Sequence, residues 1–171
     1  MSTPADLLID GYGRLPDLVR EAVDGLTADQ LTARLDPEAN TIAWLVWHLA
    51  RVEDESIADA FDGAPVWTAQ GWDERFGLPF DAHDIGYGHT SEQVATVRVE
   101  TPALLTDYYA AVSARTREHL SIVTGDDLDR VVDRSFDPPV TLGVRLVSVL
   151  EDAMQHAGQA AFIRGVVERS S

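Results

Sequence analysis

Apolar residues recur every three or four positions along four long stretches of the chain, the spacing that places side chains on one face of an α-helix. No alternating pattern long enough for a useful strand separates them. The stretches run from about Pro4 to Asp24, from just after Asn40-Thr41 to about Phe61, from Thr101 to about Val123 and from Thr141 to about Glu168. The pattern predicts an all-α four-helix bundle that forms one domain over residues 1–171.

The ends of the helices carry sequence signals of their own. Gly25 is typical of a helix stop, and Thr27 with Gln30 predicts a capping box at the start of a short helix. Pro102 suits the first turn of the third long helix. Pro138-Pro139 excludes a helix, so we expect the segment Val131 to Pro139 to be irregular.

A long connection from Ala64 to Glu100 joins the second and third helices without a sustained helical period. It is rich in glycine, proline and aromatic residues, and the aromatic content argues against disorder. We expect short helical turns near Trp72–Phe76 and after Thr90-Ser91. The connection is therefore predicted to be ordered and to pack as a lid across one end of the bundle.

Composition narrows the classes of function. The chain has no cysteine, so a metal site must use histidine or carboxylate ligands. The formal net charge of −16 argues against nucleic acid or an anionic membrane as a partner. No apolar run approaches the roughly 20 residues of a membrane span, and the N-terminal Met1-Ser2-Thr3-Pro4-Ala5-Asp6 lacks the pattern of a secretory signal. We expect a cytoplasmic protein, and the exclusive use of Arg over Lys indicates a high-GC genome.

Three residues could bring metal ligands together. Asp152 and His156 lie four positions apart on the fourth helix, at the edge of its apolar face, whereas the neighbouring Glu151 is predicted to point to solvent. His48 lies on the apolar face of the second helix. If these two helices pack together, His48, Asp152 and His156 offer three ligands, and a fourth coordination position would stay open, as in catalytic metal sites.

The same residues also allow a structural interpretation. His48 could be a hydrogen-bonded core histidine, and Asp152 and His156 could form only an i,i+4 pair. Arg145 lies on the same face as Asp152 and could neutralise it. Glu55 could orient the His48 imidazole or add an oxygen ligand.

The long connection holds candidate pocket residues. His83 and His89 bracket a glycine-rich segment that contains Tyr87, and this segment could line a pocket or form a packed loop. Trp72, Tyr87 and His89 are candidates for a substrate pocket, together with Arg145. Neither a Gly-x-Ser-x-Gly elbow nor a His-Glu-x-x-His motif occurs, which argues against a serine hydrolase of that type and a zincin protease.

In combination, several of these segments resemble the DinB superfamily, in particular an actinobacterial branch. The segments are Asn40-Thr41-Ile42-Ala43-Trp44-Leu45-Val46-Trp47-His48-Leu49, Gly71-Trp72-Asp73-Glu74-Arg75-Phe76-Gly77-Leu78-Pro79, Gly86-Tyr87-Gly88-His89 and Asp152-x-x-x-His156-Ala157-Gly158-Gln159. The resemblance implies a bundle in which His48, Asp152 and His156 hold a divalent metal, often zinc or nickel. Many superfamily members have His where Asp152 stands, so this chain departs from the commonest ligand set.

Relatives in that superfamily include thiol-dependent transferases and the mycothiol-dependent maleylpyruvate isomerase. The resemblance therefore implies a metal-dependent transferase that joins a low-molecular-weight thiol, such as mycothiol, to a small-molecule electrophile. The alternative is a non-catalytic stress-response bundle that binds a metal or a ligand. Iron-dependent redox chemistry, as in the N-terminal domain of ergothioneine synthases, or hydrolytic chemistry is a third hypothesis. Because dimers are common among relatives, we expect a homodimer.

Overall fold

The computed structural model describes residues 3–169, so Met1 and Ser2 of the N-terminal stretch considered above lie outside the described part, as do Ser170 and Ser171. The described chain is mostly helical, with one 3-10 turn at Asp126–Asp129 and two short strands. The α-helices are α1 (Pro4–Gly13), α2 (Leu15–Val23), α3 (Ala28–Leu31), α4 (Ile42–Ala60), α5 (Val66–Ala69), α6 (Trp72–Phe76), α7 (Ser91–Thr96), α8 (Pro102–Leu120) and α9 (Leu142–Arg169).

The predicted four-helix bundle is confirmed, with one correction to its first helix. That helix is divided at Arg14 into α1 and α2, because Pro16 in the first turn of α2 has no N–H to continue the earlier hydrogen-bond ladder. The two segments pack with α4, α8 and α9. Gly25, with φ of 79°, follows the end of α2, and the predicted capping box of Thr27 and Gln30 opens α3.

Helix α4 forms the centre of the bundle and packs against α2, α8 and α9. Every residue from 41 to 51 is buried, so this helix has no fully solvated face in its first half. Its most extensive packing partner is α9, which begins about eighty residues after α4 ends. This pairing brings the His48 segment against the segment that carries Asp152 and His156.

The predicted long connection is ordered and contains α5, α6 and α7. The buried carboxylate of Asp54 accepts hydrogen bonds from the backbone N–H groups of Val66 and Trp67, at 2.7 and 2.8 Å. The fully buried Arg51 donates to the carbonyl oxygens of Ala82 and Asp84, at 2.8 and 3.2 Å. Side chains of α4 therefore hold both the beginning and the middle of the connection.

The segment predicted to be irregular, Val131 to Pro139, begins with a short strand, β1 (Val131–Asp133). This strand pairs antiparallel with β2 (Val140–Thr141), directly after the segment, with a register shift between the two residue pairs. The sequence pattern missed it because strands of two or three residues are too short to show an alternating period. Arg145 of α9 bonds to Asp133 of β1 at 2.9 Å, which ties the hairpin to the bundle. Within residues 3–169, no helix combines the length and the apolarity needed to cross a bilayer.

Candidate metal centre

Three potential metal ligands meet at the α4–α9 contact. His48 comes from α4, and Asp152 and His156 come from successive turns of α9. Each contributes one potential ligand atom, and these atoms lie within 4.8 Å of one another. Glu151 is exposed and bonds to Gln155, in agreement with the helical phasing that chose Asp152 over its neighbour.

The His48 imidazole is held by a backbone carbonyl. Its Nδ1 is in hydrogen-bond contact with the carbonyl oxygen of Ile85, from the long connection. A carbonyl oxygen only accepts hydrogen bonds, so Nδ1 carries the ring proton and Nε2 presents its lone pair. The ring also stacks on Trp44 of the preceding turn, with centroids 4.5 Å apart and planes 11° apart. The two contacts fix the tautomer and the orientation of the ring, so that the Nε2 lone pair is available to a metal ion.

The His156 imidazole is also held by a backbone carbonyl oxygen. Its Nδ1–H donates to the carbonyl oxygen of Asp152, one turn earlier, at 2.8 Å. Its ring lies at 69° to that of His48, with centroids 4.7 Å apart. Because each Nδ1 is occupied by a carbonyl oxygen, both histidines are in the tautomer that leaves Nε2 free to bind a cation.

Asp152 contributes a carboxylate oxygen that lacks a hydrogen bond. Its Oδ2 is buried, and no donor from residues 3–169 bonds to it. The nearest charged partner is His156 Nδ1 at 3.5 Å, whose N–H is directed at the Asp152 carbonyl oxygen instead. Burying a carboxylate oxygen without a donor or a cation is costly. This oxygen therefore fits a site built for a positive ion.

The electrostatics of the two histidines differ. Burial lowers the pKa of His48, which favours the neutral imidazole that a metal needs. Burial also opposes the charged form of His156, but the carboxylate and the carbonyl of Asp152 outweigh it and raise the pKa of His156. A cation that binds the carboxylate would therefore compete with a proton on His156.

The donor set fits a divalent transition metal. Two neutral imidazoles and one carboxylate form the ligand set of several catalytic zinc sites and of non-haem iron(II) sites. Three protein ligands leave coordination positions for a substrate. The residues present therefore fit the metal that the sequence resemblance implies, with an oxygen ligand in place of a third imidazole.

A cleft of about 360 Å³ opens beside Asp152. Its walls come from α4, from the β1–β2 hairpin and from the first half of α9. They are mainly apolar, and Ser56, Arg145 and Ser148 add polar groups. The complete lining is Val52, Ser56, Phe136, Val140, Val144, Arg145, Ser148, Val149 and Asp152. A small molecule in this cleft would lie against one of the three potential ligands.

The other residues predicted for the pocket are distributed differently. Arg145 lines the cleft but pairs with Asp133 and not with Asp152, because the hairpin brings an acid within 2.9 Å of it. Trp72 is a core residue that packs on Tyr108. Tyr87 is 91% exposed, and its side chain forms no wall of that cleft.

His89 and Glu55 also differ from the sequence-based expectations. The side chain of His89 is buried beside Trp44 and Trp47 rather than lining an open pocket. The hypothesis that Glu55 orients His48 is wrong, since Glu55 bonds to Arg51 and to His83 at 3.0 and 2.7 Å. Sequence reasoning missed the Ile85 carbonyl that performs this task, and the only signal was the glycine-rich segment in which Ile85 lies.

These observations define a class of protein, a helical bundle with a candidate His-Asp-His metal site between two helices. The family model described as Mycothiol-S-transferase matches residues 14–168, and the chain therefore belongs to that family. The crystal structure of a conserved protein from Enterococcus faecalis is similar, with a TM-score of 0.90, 34% sequence identity and coverage of 98% of each chain. No curated protein matches the chain significantly. The DinB-like fold expected from the sequence is confirmed.

Proposed function

We propose that this protein uses a divalent cation, held by His48, Asp152 and His156, to transfer a low-molecular-weight thiol of the mycothiol type to a small electrophile. The observation that carries the proposal is the buried oxygen of Asp152 that accepts no hydrogen bond, beside two imidazoles whose Nδ1 atoms are both bonded to backbone carbonyl oxygens. Membership of the Mycothiol-S-transferase family supports the choice of thiol. Zinc or nickel is the proposed ion, and the two-histidine, one-carboxylate set also accepts iron(II).

When bound, the cation supplies a positive charge that lowers the pKa of a thiol and so makes the thiolate available near neutral pH. The chain's own contribution is to hold the ligands in one orientation. The Ile85 and Asp152 carbonyls fix the tautomers of His48 and His156, and Trp44 fixes the plane of the His48 ring. This preorganisation means that the imidazoles need not reorient when a substrate enters.

The cleft beside Asp152 is the proposed site of the electrophile. Its walls are mainly apolar, which suits a hydrophobic electrophile, and Ser56, Arg145 and Ser148 can orient polar groups of the substrate. In the reaction the thiol loses its proton, a sulfur–carbon bond forms, and the bond to the leaving group breaks with its electron pair. The proton leaves with the solvent or with the departing group, so no oxidant or reductant is consumed.

The proposal is tested by loading the purified protein with zinc, nickel or iron(II) and measuring the consumption of mycothiol in the presence of a generic electrophile such as a chlorinated nitroarene. We expect metal-dependent turnover in the wild type and its loss in His48→Ala and His156→Ala. His119→Ala is the matched control, because His119 lies at the end of α8, where it stacks on Phe61.

Unchanged activity in both ligand variants would contradict the proposal. Stoichiometric metal binding without turnover for any thiol or electrophile would favour the alternative of a non-catalytic metal-binding bundle. Exchange of mycothiol for bacillithiol, glutathione or cysteine in the same assay identifies which thiol is preferred.

A further inference from the structure

We infer that the segment from Asp84 to His89 is a positioning element for the metal ligand His48, and that His89 acts through Trp44 without touching a substrate. This inference rests on the metal site proposed above. The segment reaches His48 in two ways: Ile85 contacts the imidazole directly, and His89 bonds to the indole that stacks on it. Ile85 sets the tautomer of the ring and Trp44 sets its plane. Both depend on His89, which bonds to Trp44 and to Asp84, the carboxylate that also holds the N–H of Gly86 next to Ile85.

His89 is saturated with hydrogen bonds and is buried, with 3% of its side chain exposed. Its Nδ1 accepts from Trp44 Nε1–H at 3.1 Å, and its Nε2–H donates to both carboxylate oxygens of Asp84, each at 3.1 Å. An indole N–H can only donate, so Nδ1 must be unprotonated and the proton must lie on Nε2. His89 therefore has one defined tautomer and links a carboxylate to an indole.

Trp44 carries this constraint to the metal ligand. The indole stacks on the His48 ring at a centroid distance of 4.5 Å and meets the edge of the His156 ring at 6.5 Å. Its N–H bond to His89 stops the indole from turning about its own axis. The indole covers one face of the His48 imidazole. When the indole is fixed, the imidazole can therefore adopt only one ring orientation.

Gly86 brings the same segment close to His48. Its φ of 87° is in the left-handed region, and a Cβ at this position would lie 3.0 Å from His48 Nδ1 and 2.9 Å from the Trp47 ring. Its N–H donates to Asp84 Oδ1 at 2.7 Å, so the carboxylate that holds His89 also fixes the turn. Only glycine allows the backbone to approach closely enough for the Ile85 carbonyl to accept from His48.

The test compares His89→Leu, which removes both hydrogen bonds, with His89→Gln, whose amide oxygen can accept from Trp44 and whose amide nitrogen can donate to Asp84. Trp44→Phe keeps an aromatic ring on His48 but removes the N–H donor. His83→Leu is the matched control, since His83 lies in the same connection, is 74% exposed on its side chain and bonds to Glu55. Each full-length protein is examined for its zinc dissociation constant, its cobalt(II) absorption spectrum and its metal-free melting temperature.

A fourth measurement does not depend on the metal. Long-range 1H–15N NMR of the metal-free protein reads the tautomer of His48, which we expect to be Nδ1–H in the wild type. We expect His89→Leu to weaken zinc binding about 10-fold, the lower end of the cost of losing a group bonded directly to a metal ligand, because His89 acts through Trp44. We also expect it to change the cobalt spectrum and to yield a mixture of His48 tautomers. We expect His89→Gln and His83→Leu to resemble the wild type, and Trp44→Phe to weaken binding less than His89→Leu.

The inference would be overturned if a folded His89→Leu protein had the zinc affinity, the cobalt spectrum and the His48 tautomer of the wild type. The proposed function would then remain intact. If His89→Leu does not fold, Trp44→Phe decides instead: wild-type zinc affinity and a wild-type cobalt spectrum in that protein would overturn the inference. A wild-type protein that binds no zinc, nickel or iron(II) would contradict the proposed metal site itself, whereas the NMR comparison would still show whether His89 controls the His48 ring.

Discussion

The Asp152 carboxylate is the residue on which the account of the site depends most. Its Oδ2 is buried, and no donor in the described part of the chain satisfies it, while each neighbouring imidazole, in its neutral form, has its proton on Nδ1 and leaves Nε2 free. A side chain kept in such a state contributes little to the stability of the metal-free fold. Its presence is explained by the ion that it would bind.

Asp152→Asn tests this interpretation by replacing the carboxylate with a neutral amide of the same shape. At pH 8 we expect the metal-free variant to melt no earlier than the wild type, because no hydrogen bond to Oδ2 is lost. Ligand at about 100 times its dissociation constant stabilises a protein by about 2.7 kcal/mol, which corresponds to roughly 5–10 °C for a domain of this size. We expect zinc to produce this rise in the wild type and to lose most of it in Asp152→Asn, as measured by scanning calorimetry.

Glu151→Gln, which changes the exposed neighbour, is the control for the loss of one negative charge. A marked fall in the metal-free melting temperature of Asp152→Asn would mean that the carboxylate has a structural partner, and would contradict the account. An undiminished response to zinc would do the same.

At this scale the sequence predicted side chains better than backbone groups. Helical phasing placed His48 on an apolar face and Asp152 and His156 at the edge of one, because a period of 3.6 residues relates sequence to direction. That these faces meet is shown by the structure. Helical phasing could not find the Ile85 carbonyl, since every residue has one and only the path of the loop decides where it points. The choice of Glu55 failed for the same reason: a loop of unknown path supplied a closer partner.

Helix α4 has two faces that carry buried ionisable groups. One carries His48 and meets α9, and the other carries a buried acid, Glu53, that meets α8. The Glu53 carboxyl bonds to the hydroxyl groups of Tyr109 and Thr116, each at 2.7 Å, and no cation is among these partners. Burial raises the pKa of Glu53 to about 7 in spite of these hydrogen bonds. The α4–α8 contact is therefore sensitive to pH.

Glu53→Gln is expected to remove part of the pH dependence of folding. The pKa of Glu53 rises from its ordinary value of 4.5 to about 7 on folding, so its contribution to stability is fully present below pH 4.5 and is lost as the pH rises through about 7. The rise in the pKa of Glu53 from 4.5 to about 7 corresponds to about 3 kcal/mol in the free energy of unfolding. Urea unfolding at pH 5 and pH 8.5 should show a smaller loss of stability in Glu53→Gln than in the wild type.

The exposed Glu151→Gln serves again as the control, and it should keep the pH dependence of the wild type. If Glu53→Gln and the wild type lose the same stability between the two pH values, Glu53 does not titrate in this range and the argument from burial fails.

At the scale of elements, the sequence predicted what was periodic and missed what was short. The starts of the three later long helices lie within two residues of the predictions, and α6 and α7 lie where turns of helix were expected. The break at Arg14 and the β1–β2 pair were missed. The apolar stripe continues through both α1 and α2, so it does not reveal the break between them. A strand of two or three residues is stabilised by tertiary contacts and has no alternating pattern of its own.

For the whole molecule, the candidate site joins two helices that are far apart in sequence and form the largest contact of the fold. The connection between α4 and α8 then adds Ile85 and His89 around His48, so three separate parts of the chain must fold before the site exists. The overall architecture followed from four periodic stretches and a family resemblance. The sequence did not identify the ion or the substrate, because these depend on ligand geometry and cleft shape.

The central claim is that His48, Asp152 and His156 bind one divalent metal through two imidazole Nε2 atoms and a carboxylate oxygen. Anomalous diffraction from crystals grown with zinc or nickel, recorded on both sides of each absorption edge, tests it directly. The account predicts one strong peak per chain, bonded to those three atoms and with an open position toward the cleft beside Asp152. A protein that crystallises in the same fold but shows no peak there, or that binds the ion through other residues, would contradict it.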